Sequence, residues 1–222
     1  ADVIFYFTAN DLITLERERH RAQALVHLPP FLPQSELPPP STLQGHMLSV
    51  GMMRAGDKLA SYRIIADTLS HLDGEWRLEI AGDGPARAEV ETMMAPFGRR
   101  VHFLGQLDRQ ALGAAYARAG LFLWPGVNEA FGMAYLEAQA HGLPIVAQDR
   151  PGMRDVLAPG TYPAPEEGAE ALADQINALL SNPDLRAQCS TKTREMISKS
   201  HLAPAAATRF WDAVLPLLEN RP

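Results

Sequence analysis

Apolar residues along the chain fall in short runs, separated by stretches where they recur at helical spacing. Met47 to Gly51, Trp76 to Ala81, Val101 to Leu107, Leu121 to Trp124 and Pro144 to Ala147 are each short enough for a buried strand. Between the first two, Leu59, Tyr62, Ile65, Leu69 and Leu72 mark one face of a helix. Further helices are expected from Pro85, at a first helical position, through Met94, and from Gln110 to Arg118 behind an Asp108 cap. Another ends at His141-Gly142-Leu143-Pro144, with the His141 imidazole placed to meet the last carbonyls. This alternation predicts an α/β fold: a doubly wound, mainly parallel, Rossmann-like sheet with helices on both faces. Arg150 to Leu157 reads as a loop and short helix.

From Glu166 the pattern turns helical: Glu166 to Leu180, a break at Asn182-Pro183, Asp184 to Ile197, then Ala203 to Leu218. Phe210, Trp211, Val214, Leu215 and Leu218 form an apolar stripe on the last of these, as core or inter-domain packing requires. At the other end, Asp2 to Phe7 reads as a strand, Thr8 to Asp11 as a cap, Leu12 to Arg21 as a charged helix and Ala24 to His27 as a second extended piece. The Pro-rich run through Pro38-Pro39-Pro40-Ser41 excludes helix and reads as a linker.

Composition narrows the function. With 222 residues, 46% of them hydrophobic, the chain can bury a substantial core. A formal charge of -6 argues against a nucleic-acid surface. No apolar run approaches the roughly 20 residues that span a bilayer, so a cytoplasmic protein is expected. The single cysteine, Cys189, excludes an intrachain disulfide and reads as structural. The seven histidines fall singly, which gives a metal site little support. No Gly-x-Ser-x-Gly elbow points to a serine hydrolase. The opening residues Ala1 to Phe7 read like the middle of a fold, and a fragment of a longer protein is expected.

The most informative stretch is Pro125 to Ala138. It reads as a loop that follows a strand and enters a helix, with Glu129 at the helix mouth and Glu137 inside it. Counted as helix, eight steps place the two carboxylates about 12 Å apart along the axis and within a quarter-turn of each other. The free amides around Phe131, Gly132 and Met133, with Gly132 allowing close approach, offer a place for a phosphate. A nucleotide sugar, with hydroxyls at both ends and an anionic middle, suits that arrangement. This carboxylate-x7-carboxylate pattern resembles the signature of retaining glycosyltransferases of the two-Rossmann (GT-B) fold, in the large group 1 family.

The resemblance implies roles residue by residue. Glu129 would contact the donor sugar, the amides of Phe131, Gly132 and Met133 sugar and phosphate, and Glu137 the ribose hydroxyls. After Met47 to Gly51, the family carries an Arg and a Lys on the donor diphosphate; Lys58 matches the lysine, Met52 stands where the Arg is usual, and Arg54 comes two residues later. Lys58 also opposes the dipole at the start of its helix, which an anion would offset. Gly51 and the Gly82-Asp83-Gly84-Pro85 turn would border the nucleotide, and Gly105 matches a family glycine. Where the family often has Gly-Gly-x-x-Glu, this chain has Gly152 and Asp155. Lys58, Glu129 and Arg54 are thus the catalytic candidates, and Gly51, Gly82, Gly84, Phe131, Gly132, Met133 and Glu137 the donor-binding ones.

The implied organisation is a hinge remnant of an acceptor-side domain over residues 1–45, a donor-binding domain over 46–200, and a terminal helix over 201–222 leaning back towards the other domain. The implied reaction is hexosyl transfer from a UDP- or GDP-linked sugar to an acceptor, with retention and with no metal or other cofactor. The partners are the nucleotide sugar and a missing N-terminal acceptor domain, through which a peripheral membrane contact could be made. The chain alone is expected to bind donor without turning it over. A nucleotide-sugar epimerase of the same fold, and a binding module without catalysis, are the alternatives; a dehydrogenase lacks its glycine fingerprint.

Overall fold

A computed structural model of the chain describes residues 2–20 and 23–219. Five strands build the main sheet: β3 (Met47–Val50), β4 (Leu78–Ala81), β5 (Val101–Gly105), β6 (Leu121–Leu123) and β7 (Ile145–Val146), in the order β5-β4-β3-β6-β7. All four strand pairs are parallel. Both faces are covered, so β3 begins with three buried residues and β6 is buried throughout, as unbroken apolar runs require. Each strand is shorter than its apolar run; β7 starts only at Ile145 because Pro144 has no amide to give to the ladder.

The crossovers are helical: α2 (Asp57–Ser70) and α3 (Arg87–Met94) on the β3-β4-β5 side, and α4 (Arg109–Arg118) and α5 (Met133–Ala140) on the return through β6 and β7. The right-handed rule for such connections places the two pairs on opposite faces. Accordingly α2 packs beside α3 and α6 (Gly168–Ser181), and α5 packs beside α7 (Pro183–Ser200). Asp108 caps α4 through the Ala111 amide at 2.8 Å. Two expectations change. Pro85 lies in the turn before the Ala86 cap of α3, so it shapes the entry and not the first helical turn. Residues 151–156 form successive turns and no helix, packed over the buried Met153 and Val156.

The N-terminal residues form a separate two-stranded parallel ribbon, β1 (Val3–Tyr6) with β2 (Ala24–His27), connected through α1 (Ala9–Glu18). Thr8 and Asp11 close a capping box at the start of α1, a turn earlier than the apolar spacing suggests. The helix stops at Glu18, where Arg19 turns extended, short of the expected end at Arg21, which itself lies outside the described residues. The last helix, α8 (Ala203–Glu219), leans on the ribbon, with Phe210 stacked on Phe5 at 5.1 Å. Trp211, Leu215 and Leu218 stay exposed, so its stripe is only partly packed among the described residues.

The Pro-rich run is not a free tether. Leu32 is buried in the core and bridges to Leu202, and its amide donates to the His201 carbonyl at 2.8 Å. The carbonyls of Pro30, Pro38 and Pro39 take bonds from His201, Arg194 and His141. A segment with few amides of its own is fastened here through its carbonyls. His141 therefore points its ring at Pro39, not at the end of α5.

Candidate active site

The strand order reverses between β3 and β6, and the carboxyl ends of these neighbours open the crevice where doubly wound sheets bind ligands. A cleft of about 280 Å³ lies there, lined by Gly51, Met52, Lys58, Gly82, Trp124, Glu129, Gly132, Ala134 and Tyr135 among others. Lys58, one residue into α2, reaches across the seam to Glu129 in the loop after β6, and Nζ donates to Oε2 at 2.5 Å. The Trp124 indole N–H donates to the same oxygen at 3.1 Å, and Lys58 Nζ stands 5.3 Å from the indole centroid. Cation, carboxylate and aromatic ring form one partly buried group.

Glu129 is not on the helix. Gly132, at φ +59°, is the left-handed N-cap of α5, so the helix begins at Met133, four residues after Glu129. Helical geometry between the two glutamates therefore does not hold. An added Cβ at Gly132 would sit 2.8 Å from Val156 Cγ2, so this position needs glycine for both space and φ. The amides of Phe131, Gly132, Met133 and Ala134 donate to no protein acceptor among the described residues, as a free helix N-terminus should. The Phe131 side chain turns away from the cleft and meets Phe7 edge-on at 5.7 Å. Met133 is also exposed and outside the lining.

Glu137 faces a neighbouring hollow of about 480 Å³ with Arg109, Tyr116, His141 and residues of the Pro-rich run; Leu112 of α4 lines both spaces. The Tyr116 hydroxyl donates to Glu137 Oε2 at 3.0 Å. Burial pushes the Glu137 carboxyl above its ordinary range, partly opposed by the Tyr116 bond and the Arg109 charge. The same burial, with the Glu137 charge, drives the Tyr116 phenol far up.

The remaining candidates divide. Gly51 and Gly82 are on the cleft wall, but their missing side chains serve packing: a Cβ on Gly51 would strike the Trp124 ring at 2.5 Å, and one on Gly82 would strike the Gly51 carbonyl. Gly84 is outside the lining, tight against the Met53 carbonyl. Arg54 is exposed in the turn before α2 and also outside it; Met52 takes the wall position instead. Asp155 accepts from the Ala9 amide at 3.2 Å, joining the turn after β7 to the start of α1. Gly152 backs the loop at the Glu129 carbonyl, where a Cβ would stand 3.0 Å away.

Sequence reasoning missed Trp124 and Tyr116. Trp124 and Tyr116 read as core; an indole just past a strand end, or a phenol on a helix, where a plain aliphatic would pack as well, is the signal of a polar task. No group of three potential metal ligands occurs among the described residues. No helix among them is long and apolar enough to cross a membrane.

With that geometry in view, comparison with known proteins decides the family: the model described as "Glycosyl transferases group 1" matches residues 59–196. The chain belongs to this family. Among group 1 relatives, a GDP-mannose-dependent alpha-(1-6)-phosphatidylinositol dimannoside mannosyltransferase of Mycobacterium tuberculosis is 32% identical over 124 residues, 55% of this chain and 32% of its own length. A D-inositol 3-phosphate glycosyltransferase of Xylanimonas cellulosilytica is 31% identical over 158 residues, 67% of this chain and 36% of that protein. The chain thus spans about a third of these curated relatives. The structure of sucrose-phosphate synthase from Thermosynechococcus elongatus superposes with a TM-score of 0.80 at 21% identity, covering 100% of this chain and 59% of that one. That likeness carries the GT-B glycosyltransferase fold, and the doubly wound architecture read from the sequence holds.

Proposed function

We propose that this chain is the donor-binding portion of a retaining group 1 glycosyltransferase that moves a hexosyl unit from a nucleoside-diphosphate sugar to an acceptor held by the rest of the protein. The observation that carries the reading is the meeting of Lys58 and Glu129 across the β3–β6 seam, beside the open amides of α5. A cation at the foot of one helix and free N–H groups at another suit a diphosphate, whose charge grows as the bond to the sugar breaks. Lys58 takes that charge, Glu129 accepts from sugar hydroxyls, and Glu137 accepts from the ribose in the adjoining hollow. In the transfer, the bond from the anomeric carbon to the diphosphate oxygen breaks and the acceptor oxygen bonds to the same face. The acceptor proton passes to the departing phosphate, so no side chain of this chain need act as nucleophile.

One relative is named for GDP-mannose, which makes that the first donor to try, with UDP-glucose beside it. Calorimetric titration of the chain with each sugar nucleotide and its nucleoside diphosphate tests the reading. Lys58→Gln is expected to weaken every diphosphate by about tenfold or more, as loss of a charged hydrogen bond does. Glu129→Gln should weaken the sugar-bearing forms selectively. Failure of all these ligands to bind, or equal binding by both variants and the unsubstituted chain, would exclude it.

A further inference from the structure

The indole of Trp124 is held on every side. Its backbone amide donates to Val146 at 3.0 Å, and its carbonyl accepts the Tyr135 hydroxyl at 2.7 Å. Tyr62 meets the ring edge-on at 5.2 Å, and the bare face of Gly51 lies against it, where a Cβ would approach within 2.5 Å. Tyr62 is fixed in turn by donating to the Gly51 carbonyl at 2.8 Å. Trp124 is 1% exposed, and the atom it offers to the cleft is a single donor. That donor ends on Glu129 Oε2, which Lys58 also holds, while Oε1 has no protein partner among the described residues.

We infer that Trp124 is a positioning residue that keeps Glu129 aimed at the sugar once Lys58 is drawn to the diphosphate. The inference rests on the donor-site reading above. In the free protein Lys58 and Trp124 share one carboxylate oxygen. An incoming diphosphate competes for the ammonium group, and the partly buried loop carboxylate, losing it, would otherwise be free to rotate. The indole N–H cannot follow Lys58, because its ring is wedged against Gly51 and Tyr62. It therefore retains Oε2 and leaves Oε1 facing the cleft as the acceptor for sugar hydroxyls. Above the same ring, Lys58 keeps a cation–π contact that gives it a resting place when the site is empty.

Trp124→Phe tests this, since it keeps an aromatic ring at the position but removes the donor. Titrations with GDP and GDP-mannose, and with UDP and UDP-glucose, give the ratio of sugar-nucleotide to diphosphate affinity for the unsubstituted chain and the variant. Trp124→Phe is expected to bind the diphosphate within about twofold of the unsubstituted chain and to lose about five- to tenfold on the sugar nucleotide. Equal losses on both ligands, or no loss, would overturn the positioning role and leave the donor site standing. Absence of any binding by the unsubstituted chain would overturn both. If Trp124→Phe does not fold, the indole N–H resonance of Trp124 in the unsubstituted chain answers the question. Slow exchange with water, kept on saturation with diphosphate, is expected; an N–H that begins to exchange when the diphosphate binds would sink the idea.

Discussion

Tyr116 donates its hydroxyl to Glu137 across the gap between α4 and α5, 3.0 Å from oxygen to oxygen, in a place where burial works against the carboxylate charge. The folded Glu137 therefore binds its proton more readily than the unfolded one, and stability falls as the pH rises from about 4.5 through the folded value. Glu137→Gln keeps an acceptor for Tyr116 and removes that loss. It should raise the melting temperature at pH 7 and leave it nearly unchanged near pH 4, the gain being limited because the Tyr116 bond already offsets part of the burial cost. The same variant should weaken nucleotide binding, so stability and affinity move in opposite directions. Thermal melts at the two pH values, paired with GDP and UDP titrations, check both.

Gln139 is fully buried on α5 and spends its amide on three backbone groups of two segments: it donates to Tyr135 at 3.1 Å and Val156 at 2.7 Å, and accepts from Ala158 at 2.7 Å. Gln139→Leu fits the volume but strands the Val156 carbonyl and the Ala158 amide. A loss of about 3 kcal/mol is expected from denaturant unfolding, set by the two orphaned groups and not by the side chain removed.

His201 is buried, and its Nδ1–H donates to Pro30 at 2.7 Å; the charges facing it are Arg209 and, when protonated, His27. Burial first, and these neighbours after it, hold its pKa below the ordinary 6.5, and the burial of His141 does the same beside Pro39. The stability these rings contribute is complete above about pH 6.5 and is lost as the pH falls through their depressed folded values. The Pro-rich run should loosen on acidification. The Leu32 amide, bound to the His201 carbonyl, reports it: its hydrogen-exchange protection should drop between pH 7.5 and pH 5, while that of Leu48 in β3 holds.

Gly82→Ala places a methyl group on the Gly51 carbonyl at a backbone φ of +139°, so neither the side chain nor the backbone can yield cheaply. Either the strand ends separate or the chain does not fold. Gly56→Ala, at φ +81° with open space around it, isolates the backbone strain and is expected to cost only about 1 kcal/mol. A difference of less than about 1 kcal/mol between the two in urea unfolding would contradict the close packing.

Much of this arrangement was legible in the residues. Runs such as Leu121 to Leu123 carry no polar position and are too short for a helix, as strands buried on both faces require, and Lys58 and Glu129 lie in the segments that follow two such runs. What escaped depends on one backbone angle and on crowding in three dimensions. The left-handed Gly132 delays the helix, and this moves Glu129 off the face it was expected to share with Glu137. Gly84 matches a motif by spacing and Arg54 stands two residues beyond its usual place, yet the first is occupied with the Met53 carbonyl and the second stays outside the cleft wall. The Pro-rich run offers few donors, so nothing in its own residues tells that His201, Arg194 and His141 will hold it.

The seam between β3 and β6 has a kinetic meaning as well. It joins Met47 to Leu121, whereas every other pair in the main sheet connects strands separated by a single crossover helix. Closing it carries the largest loop-entropy cost in the sheet, because three crossover helices and the strands β4 and β5 lie between its halves. Lys58 and Glu129 come from opposite sides of that join. A chain arrested with either half formed would hold one of them but not both, so a ligand that needs both would report that the two halves have met and would draw the folding equilibrium only towards the finished sheet.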